Sequence, residues 1–478
     1  MTEWIQLREN RQRVRRALRQ GVVDEVMACR ATAFDELVGA MQTFGYWEQL
    51  AEIEIALQKD ADDVPNELLK RELAVLPLLR IPNPYQAPTY LFKDEGVLRF
   101  LGFTLAEIRE GFNTKGVRSP SGKVRMRPHH RDTLYTALKA VDLESLCDFR
   151  EAHRQALIRQ QLLSGGTFAI DGTGLRNSDR HVVILQQVGD EIPFIANWRV
   201  QGPGQELAAG REMVAELQAE LGSDVIEWLL LDGAYVDGAW LAHLQHQGIG
   251  VMVRVYEEMD IFEHMLELTQ VPAYQFEPYE YVRTIQGHKE LHTVELALIP
   301  DLTLWTSYQT AWQALSEESG TPCPGLTGLL VREKRVTKPG TRKEITWGMV
   351  STRPFTHREA AFEQWRSRWD VENQGFRELN QGGWLESQTW GRSEAAIQTS
   401  IALKIGAHNC YCLMRTELGA EGAVTGLRDL QHHLFDSPPQ FMVVVDDVYA
   451  LFSADGFAMC LGVEIQALGD VARAEVPT

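Results

Sequence analysis

Three carboxylates on separate predicted elements carry the chemistry that this sequence suggests. Asp171 ends the apolar run TFAID, Asp232 ends the apolar run IEWLLLD, and Glu372 lies in a later stretch with helical spacing. Carboxylates brought together from separate elements can hold two divalent ions about 4 Å apart, which activate an attacking water or hydroxyl and stabilise the leaving oxygen. Mg²⁺ suits such hard oxygen ligands, and Mn²⁺ can substitute for it. The residue types therefore indicate two-metal phosphoryl transfer.

Glu372 stands out because of its apolar neighbours. A stretch from His357 to Gln381 is predicted to be one helix, and its large apolar residues recur at steps of three and four. These residues are Phe362, Trp365, Trp369, Phe376 and Leu379. Glu372 falls on the same face, where burying an unpaired carboxylate would cost several kcal/mol, roughly, so that a cation, a hydrogen-bond network or a metal is expected beside it.

Each of these residues also has a purely structural interpretation. Asp171 precedes Gly-Thr-Gly and Asp232 precedes Gly-Ala-Tyr, and aspartate at such positions is often a turn former. Arg368, four residues before Glu372, can orient that carboxylate or hold a phosphate bidentately, but a surface salt bridge has the same spacing. Their combination in one chain is what favours a catalytic site.

The elements between the two aspartates follow a recognisable order. TFAID, HVVILQQV and PFIANWRV are predicted strands, and they are followed by a helix over about 204–221, the strand IEWLLLD, a helix over about 237–247 and the strand VMVRV. This order is expected for an α/β protein with an RNase H-like core. The strand-like runs of 256–355, interrupted by one helical patch at SYQTAWQALSEE, are predicted to form a β-rich insertion before the helix of Glu372.

The rest of the chain is predicted to be mostly helical. IPNPYQAP (81–88) should be a non-helical linker, and helix should resume from about 93 to 163 and from about Glu394 to Glu417. The predicted divisions are a helical N-terminal region 1–80, a helical DNA-binding region 81–163, core segments 164–255 and 356–420 around the insertion 256–355, and a mixed tail 421–478.

A basic segment is the best candidate for contact with DNA. Residues 113–131 interrupt the helical region and contain no acid, so they suit a clamp on backbone phosphates, although a solvated loop is an equal alternative. Its basic residues are Lys115, Arg118, Lys123, Arg125, Arg127 and Arg131. Tyr235, Trp390 and Arg392 are further candidates, and simple packing is the favoured interpretation for Tyr235.

Composition limits the classes of protein. The 478 residues are 44% hydrophobic and 24% charged, which is ordinary for a globular protein. No run approaches the roughly 20 apolar residues of a membrane span, and the six scattered cysteines favour reduced thiols and a cytoplasmic location. Residues 1–150 carry 22 basic and 22 acidic side chains, so the net charge of −19 lies entirely after residue 150.

Taken together, AIDGTGL, LLLDGAYVDG and WRSRWDVENQGFREL resemble the DDE-type insertion-sequence transposases. The similarity is to the subgroup with a Tyr-x2-Arg-x3-Glu-x6-Lys signature and a β-rich insertion before it, and it extends from about 95 to about 415. The resemblance implies that Asp171, Asp232 and Glu372 bind metal, with Arg368 on the signature arginine and Trp365 where tyrosine is usual. It also implies enzymes that cut double-stranded DNA at transposon ends and join the 3′-hydroxyl to target DNA, acting as dimers.

Two departures from the family pattern keep other functions open. Leu379 or Asn380 stands where the signature lysine belongs, and the net charge is acidic. Both features suit a transposase-derived DNA-binding protein with lost or partial catalysis, whereas the intact triad favours an active enzyme. A glycosidase that uses two of these carboxylates is a third hypothesis, which differs in needing no metal.

Overall fold

The strands form two sheets, a large mixed one and a small antiparallel one. The computed structural model describes residues 11–462, apart from 30–33, 59, 61–62, 113–127, 177, 190–193, 286–287, 318–319, 337–341, 384, 388, 421–429, 431–439 and 447. The strands in chain order are β1 Glu25–Cys29, β2 Gly166–Gly174, β3 His181–Gln187, β4 Ile195–Gln201, β5 Ile226–Leu231, β6 Gly250–Val255, β7 Glu277–Ile285, β8 His288–Leu302, β9 Leu326–Val336, β10 Arg342–Ser351, β11 Gln440–Val445 and β12 Val448–Ser453.

The chain divides into two units. One, here called the sheet unit, comprises Gln161–Gly174 and Asp179–Arg377. The other, the helical unit, comprises Met1–Gln160, Leu175–Ser178 and Glu378–Thr478. All three predicted catalytic carboxylates belong to the sheet unit.

The sheet unit is built on nine strands in the order β4-β3-β2-β5-β6-β10-β9-β8-β7. Strands β2, β5 and β6 are parallel to one another, and the remaining neighbours are antiparallel. Strands β2 and β5 lie in the interior of the sheet and are buried along their apolar runs, which explains why they read as continuous hydrophobic segments. The predicted order of strands and helices from 166 to 255 is confirmed.

Helices complete the sheet unit. They are Glu206–Leu221, Gly238–His246, Asp260–Leu268, Thr306–Leu315 and Arg358–Arg366, with 3₁₀ turns at Gly233–Tyr235 and Pro272–Tyr274 and a π-helical turn at Val371–Phe376. Helix Glu206–Leu221 packs against β3 and β4, and helix Gly238–His246 packs against Thr306–Leu315. The elements predicted over 256–355 are present, and β10 pairs with β6, so the inserted hairpins continue the same sheet. The domain limits drawn from the sequence stay a prediction.

The helical unit surrounds the long helix Glu394–Ala420, which was predicted and is buried along most of its length. Its other helices are Arg11–Gln20, Phe34–Thr43, Tyr46–Ala51, Asn66–Leu78, Ala87–Tyr90, Glu95–Phe100, Leu105–Glu110, Asp132–Lys139, Leu143–Arg159 and Ala454–Leu461, with a 3₁₀ turn at Pro84–Gln86. Helix Arg377–Gly383 begins in the sheet unit and ends in the helical unit. No helix among the described residues is long and apolar enough to cross a membrane.

Two expectations for the helical unit were wrong. The region 1–80 is not helical throughout, because β1 pairs antiparallel with β11, more than 400 positions later in the chain. A partner so distant in sequence leaves no local signal. The segment 81–88 is not entirely non-helical, because Pro84 and Pro88 occupy the first positions of helical turns, where proline's missing N–H is tolerated.

The predicted helix of 357–381 is present over most of its length, but it is not continuous. The first helix ends at Arg366, a turn covers residues 367 and 368, and the π-helical turn then runs from Val371 to Phe376. A π turn contains more residues than an α turn, so it changes which side chains share a face. This change decides where Glu372 points.

Candidate active site

The pairing of two parallel strands brings Asp171 and Asp232 together. Ile170 on β2 is paired with Leu231 on β5, so the residues that follow them, Asp171 and Asp232, lie side by side. Neighbouring strands are about 4.8 Å apart. Asp232 is the first residue beyond β5 and begins the 3₁₀ turn Gly233–Tyr235. The two aspartates, 61 positions apart in the chain, are thus adjacent where the parallel pairing of β2 and β5 ends, although β2 itself continues to Gly174.

Arg368 connects the third carboxylate to this pair. Its Nη1 donates a hydrogen bond to Asp171 Oδ2 at 3.0 Å, and its Nη2 donates one to Glu372 Oε1 at 2.7 Å. The two nitrogens of a guanidinium are roughly 2.3 Å apart, given C–N bonds of about 1.33 Å, so these two carboxylate oxygens are no more than about 8 Å apart. The three predicted catalytic residues therefore occupy one site.

The burial of Glu372 was predicted wrongly. Its side chain is 52% exposed, whereas the side chain of Arg368 is only 6% exposed. The break at residues 367 and 368 and the π-helical turn rotate Glu372 out of the apolar stripe, while Trp365 and Phe376 stay buried. The salt bridge expected between Arg368 and Glu372 is present, but it is not a simple surface pair, because the guanidinium is buried and also contacts Asp171 on β2.

Electrostatics at the site are dominated by concentrated negative charge. Burial raises the pKa of Asp171 to about 6, and the Arg368 guanidinium opposes that rise. The charges of Asp232 and Glu372 act in the same direction as burial, whereas the N–H of Gly172 acts against it. One arginine therefore faces three carboxylates, which is an arrangement that attracts further cations.

The site also contains buried polar atoms without hydrogen-bond partners among the described residues. Asp232 Oδ1 and Arg368 Nε are buried and have no hydrogen-bond partner among the described residues. An unsatisfied buried oxygen costs about 1–3 kcal/mol, and more where it is charged. The Tyr235 hydroxyl is buried beside Gly172 and also has no partner.

A divalent ion fits the chemistry of these residues. Carboxylate oxygens are the ligands that Mg²⁺ prefers, and Asp232 Oδ1 is an orphaned buried acceptor of that kind. In this conformation no group of three His, Cys, Asp or Glu side chains within the described ranges is arranged to hold a metal. The arginine explains that arrangement, because its guanidinium lies between Asp171 and Glu372. The carboxylates are of the chemical kind that suits the ion, but the cation that contacts Asp171 and Glu372 in this conformation is the guanidinium of Arg368.

Gly375 and Gln186, which the sequence did not indicate as site residues, position the π-helical turn beside the site. Gly375 packs so closely on β3 that a Cβ there would overlap Gln186 Oε1 and lie 3.1 Å from Ile184 Cδ1. Ile184 is paired with Asp171 across β2 and β3, so the π-helical turn lies on the face of the sheet that carries Asp171. In the sequence, the sign of this close packing was an isolated glycine, Gly375, within a stretch predicted to be helical.

The residues predicted to contact DNA have varied positions. Lys115, Arg118, Lys123, Arg125 and Arg127 lie outside the described residues. The Arg131 guanidinium lies 3.6 Å from the centre of the Tyr85 ring, and Arg392 is exposed. Tyr235 and Trp390 are 1% and 4% exposed, and the Trp390 Nε1–H donates to the carbonyl of Pro82. Both rings are packed in the protein interior, as the packing interpretation of Tyr235 expected, and contact of either ring with DNA stays a prediction.

The positions of the signature lysine have other roles in this chain. Leu379 is 2% exposed and belongs to the core of the helical unit. Asn380 exchanges two hydrogen bonds with Glu386, one to its carboxylate at 2.7 Å and one from its backbone N–H at 2.9 Å. The Leu379 side chain is buried in the core and the Asn380 side chain is hydrogen-bonded to Glu386, so neither takes the place of a lysine that would bind a phosphate.

Comparison with known proteins gives little further information. No family model matches the chain, and no curated protein matches it. The cryo-EM structure of a piggyBac transposase synaptic complex with hairpin DNA is similar at 12% sequence identity, covering 95% of this chain and 88% of that chain, with a TM-score of 0.40. A likeness at this level does not show a family, so the geometry of the site carries the functional proposal.

Proposed function

We propose that this chain is a DDE-type DNA transposase with an RNase H-like core. It would cut DNA at transposon ends and join the freed 3′-hydroxyl to target DNA, acting as a homodimer on double-stranded DNA. The observation that carries the proposal is the adjacency of Asp171 and Asp232 just beyond the last paired residues of β2 and β5, with Arg368 connecting Glu372 to Asp171. The sequence motifs around these residues agree with it.

Each residue of the site has a role in this proposal. Asp171, Asp232 and Glu372 would hold two Mg²⁺ ions, for which Mn²⁺ may be substituted. When bound, such ions supply activation of the attacking oxygen and stabilisation of the leaving oxygen in phosphoryl transfer. Gly375 lets the π-helical turn approach β3, and Glu372 on that turn accepts a hydrogen bond from Arg368. The exposed Arg392, together with the basic segment 113–131, would bind backbone phosphates.

The test is metal-dependent nicking of DNA that carries the element's own flanking ends. Wild type should nick this DNA with Mg²⁺ or Mn²⁺, and Glu372→Gln should lose the activity because the amide is a poorer metal ligand. Glu359→Gln is a matched control, since that side chain is 47% exposed and lies one helix earlier. Equal loss in both variants, or nicking that persists in Glu372→Gln, would contradict the assignment.

A transposase-derived DNA-binding protein without catalysis is the second candidate. It is favoured by the burial of Leu379 and the hydrogen bonds of Asn380, which leave the signature lysine unreplaced. DNA binding and nicking measured on the same preparation separate the two functions. Binding without nicking, in wild type as in Glu372→Gln, would support this candidate.

A further inference from the structure

The guanidinium of Arg368 occupies the place between two of the proposed metal ligands. It donates to Asp171 on β2 and to Glu372 on the π-helical turn, at 3.0 and 2.7 Å. Both bonds are charge-assisted, which makes each about twice as strong as a neutral hydrogen bond. A single side chain thus holds two acidic elements of the site together.

The surroundings keep this arginine in place and charged. Its side chain is 6% exposed, and its guanidinium carbon lies 5.3 Å from the centre of the Trp365 ring. An arginine guanidinium stays charged in proteins, and its two terminal nitrogens both donate to carboxylates here. The arginine is therefore an internal counter-ion of the site.

This counter-ion does not satisfy the whole site. Asp232 Oδ1 stays buried without a hydrogen-bond partner among the described residues, and the guanidinium Nε is equally unpaired. One positive charge also leaves three carboxylates with a net charge of −2. A small divalent ion would serve these carboxylates better than a planar monovalent group does, because it compensates more charge and takes oxygen ligands on several sides.

We propose that Arg368 is a resident cation that a divalent metal ion must displace in order to bind between Asp171 and Glu372. The inference rests on the proposed function, because it concerns the metal ligands assigned there. A cationic guanidinium and a divalent ion repel each other and compete for the same oxygen atoms, so binding of the ion releases the arginine. The released guanidinium is then available to pair with a phosphate of the DNA.

Equilibrium binding of Mn²⁺, followed by the electron paramagnetic resonance of the free ion, tests this competition without DNA or turnover. Arg368→Gln should bind Mn²⁺ at least about tenfold more tightly than wild type, because the site no longer has to be vacated first. Arg366→Gln is the matched control, since Arg366 pairs with Glu363 at 2.9 Å. That control should leave the affinity unchanged.

Failure of the inference and failure of the proposed function give different results. Equal or weaker Mn²⁺ binding by Arg368→Gln would overturn the competition, because the arginine would then support the metal site, and the proposed function would stand. Mn²⁺ binding by neither protein would overturn both. Mn²⁺ bound by wild type must also be lost in Asp232→Asn, which shows that the ion is at this site.

A second measurement uses the wild-type protein and does not depend on the folding of a variant. Modification of arginines by phenylglyoxal, located by mass spectrometry, should be slow at Arg368 without metal and several-fold faster with saturating Mn²⁺. Arg366, whose side chain is 21% exposed, provides the internal reference. An Arg368 rate that does not change while Mn²⁺ is bound would overturn the proposal.

Discussion

Replacing Gly375 with alanine should destabilise the sheet unit, although alanine normally favours a helix. The new Cβ would overlap Gln186 Oε1 and lie 3.1 Å from Ile184 Cδ1. Gln186 is 0% exposed, so its side chain cannot move into solvent. Overpacking of this kind costs about 1–3 kcal/mol, against a gain of roughly 0.5–1 kcal/mol for alanine over glycine in a helix. We expect a net loss of about 1–2 kcal/mol in the free energy of unfolding.

Gly210→Ala supplies the control of opposite sign. Gly210 lies in helix Glu206–Leu221, and a Cβ there would be 3.4 Å from Ile170 and Tyr235 atoms, an ordinary contact distance. That variant should be neutral or more stable by up to about 1 kcal/mol. Urea unfolding followed by circular dichroism measures both. A Gly375→Ala protein as stable as Gly210→Ala would refute the close packing of the π-helical turn on β3.

A double-mutant cycle locates the cause. Neither polar atom of the Gln186 side chain has a hydrogen-bond partner among the described residues, so Gln186→Ala removes bulk without breaking a hydrogen bond. In that background Gly375→Ala should cost less than in wild type, with a coupling free energy of about 1 kcal/mol. Additive effects would show that the two side-chain positions are not in contact.

Three further predictions concern charge. Asp232→Asn should stabilise the metal-free protein and abolish Mn²⁺ binding, because it removes one of three adjacent negative charges. Thermal unfolding with and without Mn²⁺ measures both effects. A metal-free variant less stable than metal-free wild type would contradict the prediction. Burial lowers the pKa of Lys404 from 10.5 to about 7. Between pH 7 and 10.5 the unfolded chain therefore binds one proton more than the folded chain, so the free energy of unfolding should rise by up to about 1.4 kcal/mol per pH unit. The Lys404→Met variant should lack that rise. Burial, and secondarily Arg154, lowers the pKa of His153 from 6.5 to about 3. As the pH falls through this range, His153 is protonated first in the unfolded chain, so the stability that the neutral histidine contributes should be lost. Unfolding experiments across the range should show a smaller loss for His153→Gln.

Local patterns in the sequence determined most of the elements that position the site. The apolar runs before Asp171 and Asp232 are buried strands, as predicted, because continuous hydrophobic segments bounded by glycine suit the interior of a sheet. The helices Glu206–Leu221, Gly238–His246 and Glu394–Ala420 were likewise visible in residue spacing. The identities of the acidic residues and of Arg368 also came from sequence motifs alone.

Tertiary structure decided how these residues face one another. The register of β2 against β5 makes the aspartates neighbours, and a register is set by packing over the whole sheet rather than by either strand alone. The pairing of β1 with β11 is equally non-local. Glu372, on the π-helical turn, is exposed although it was expected to be buried, and Arg368, in the turn before it, is buried. Helical spacing in a sequence assumes an uninterrupted 3.6-residue turn, whereas here a π-helical turn packs closely against Gln186 at Gly375.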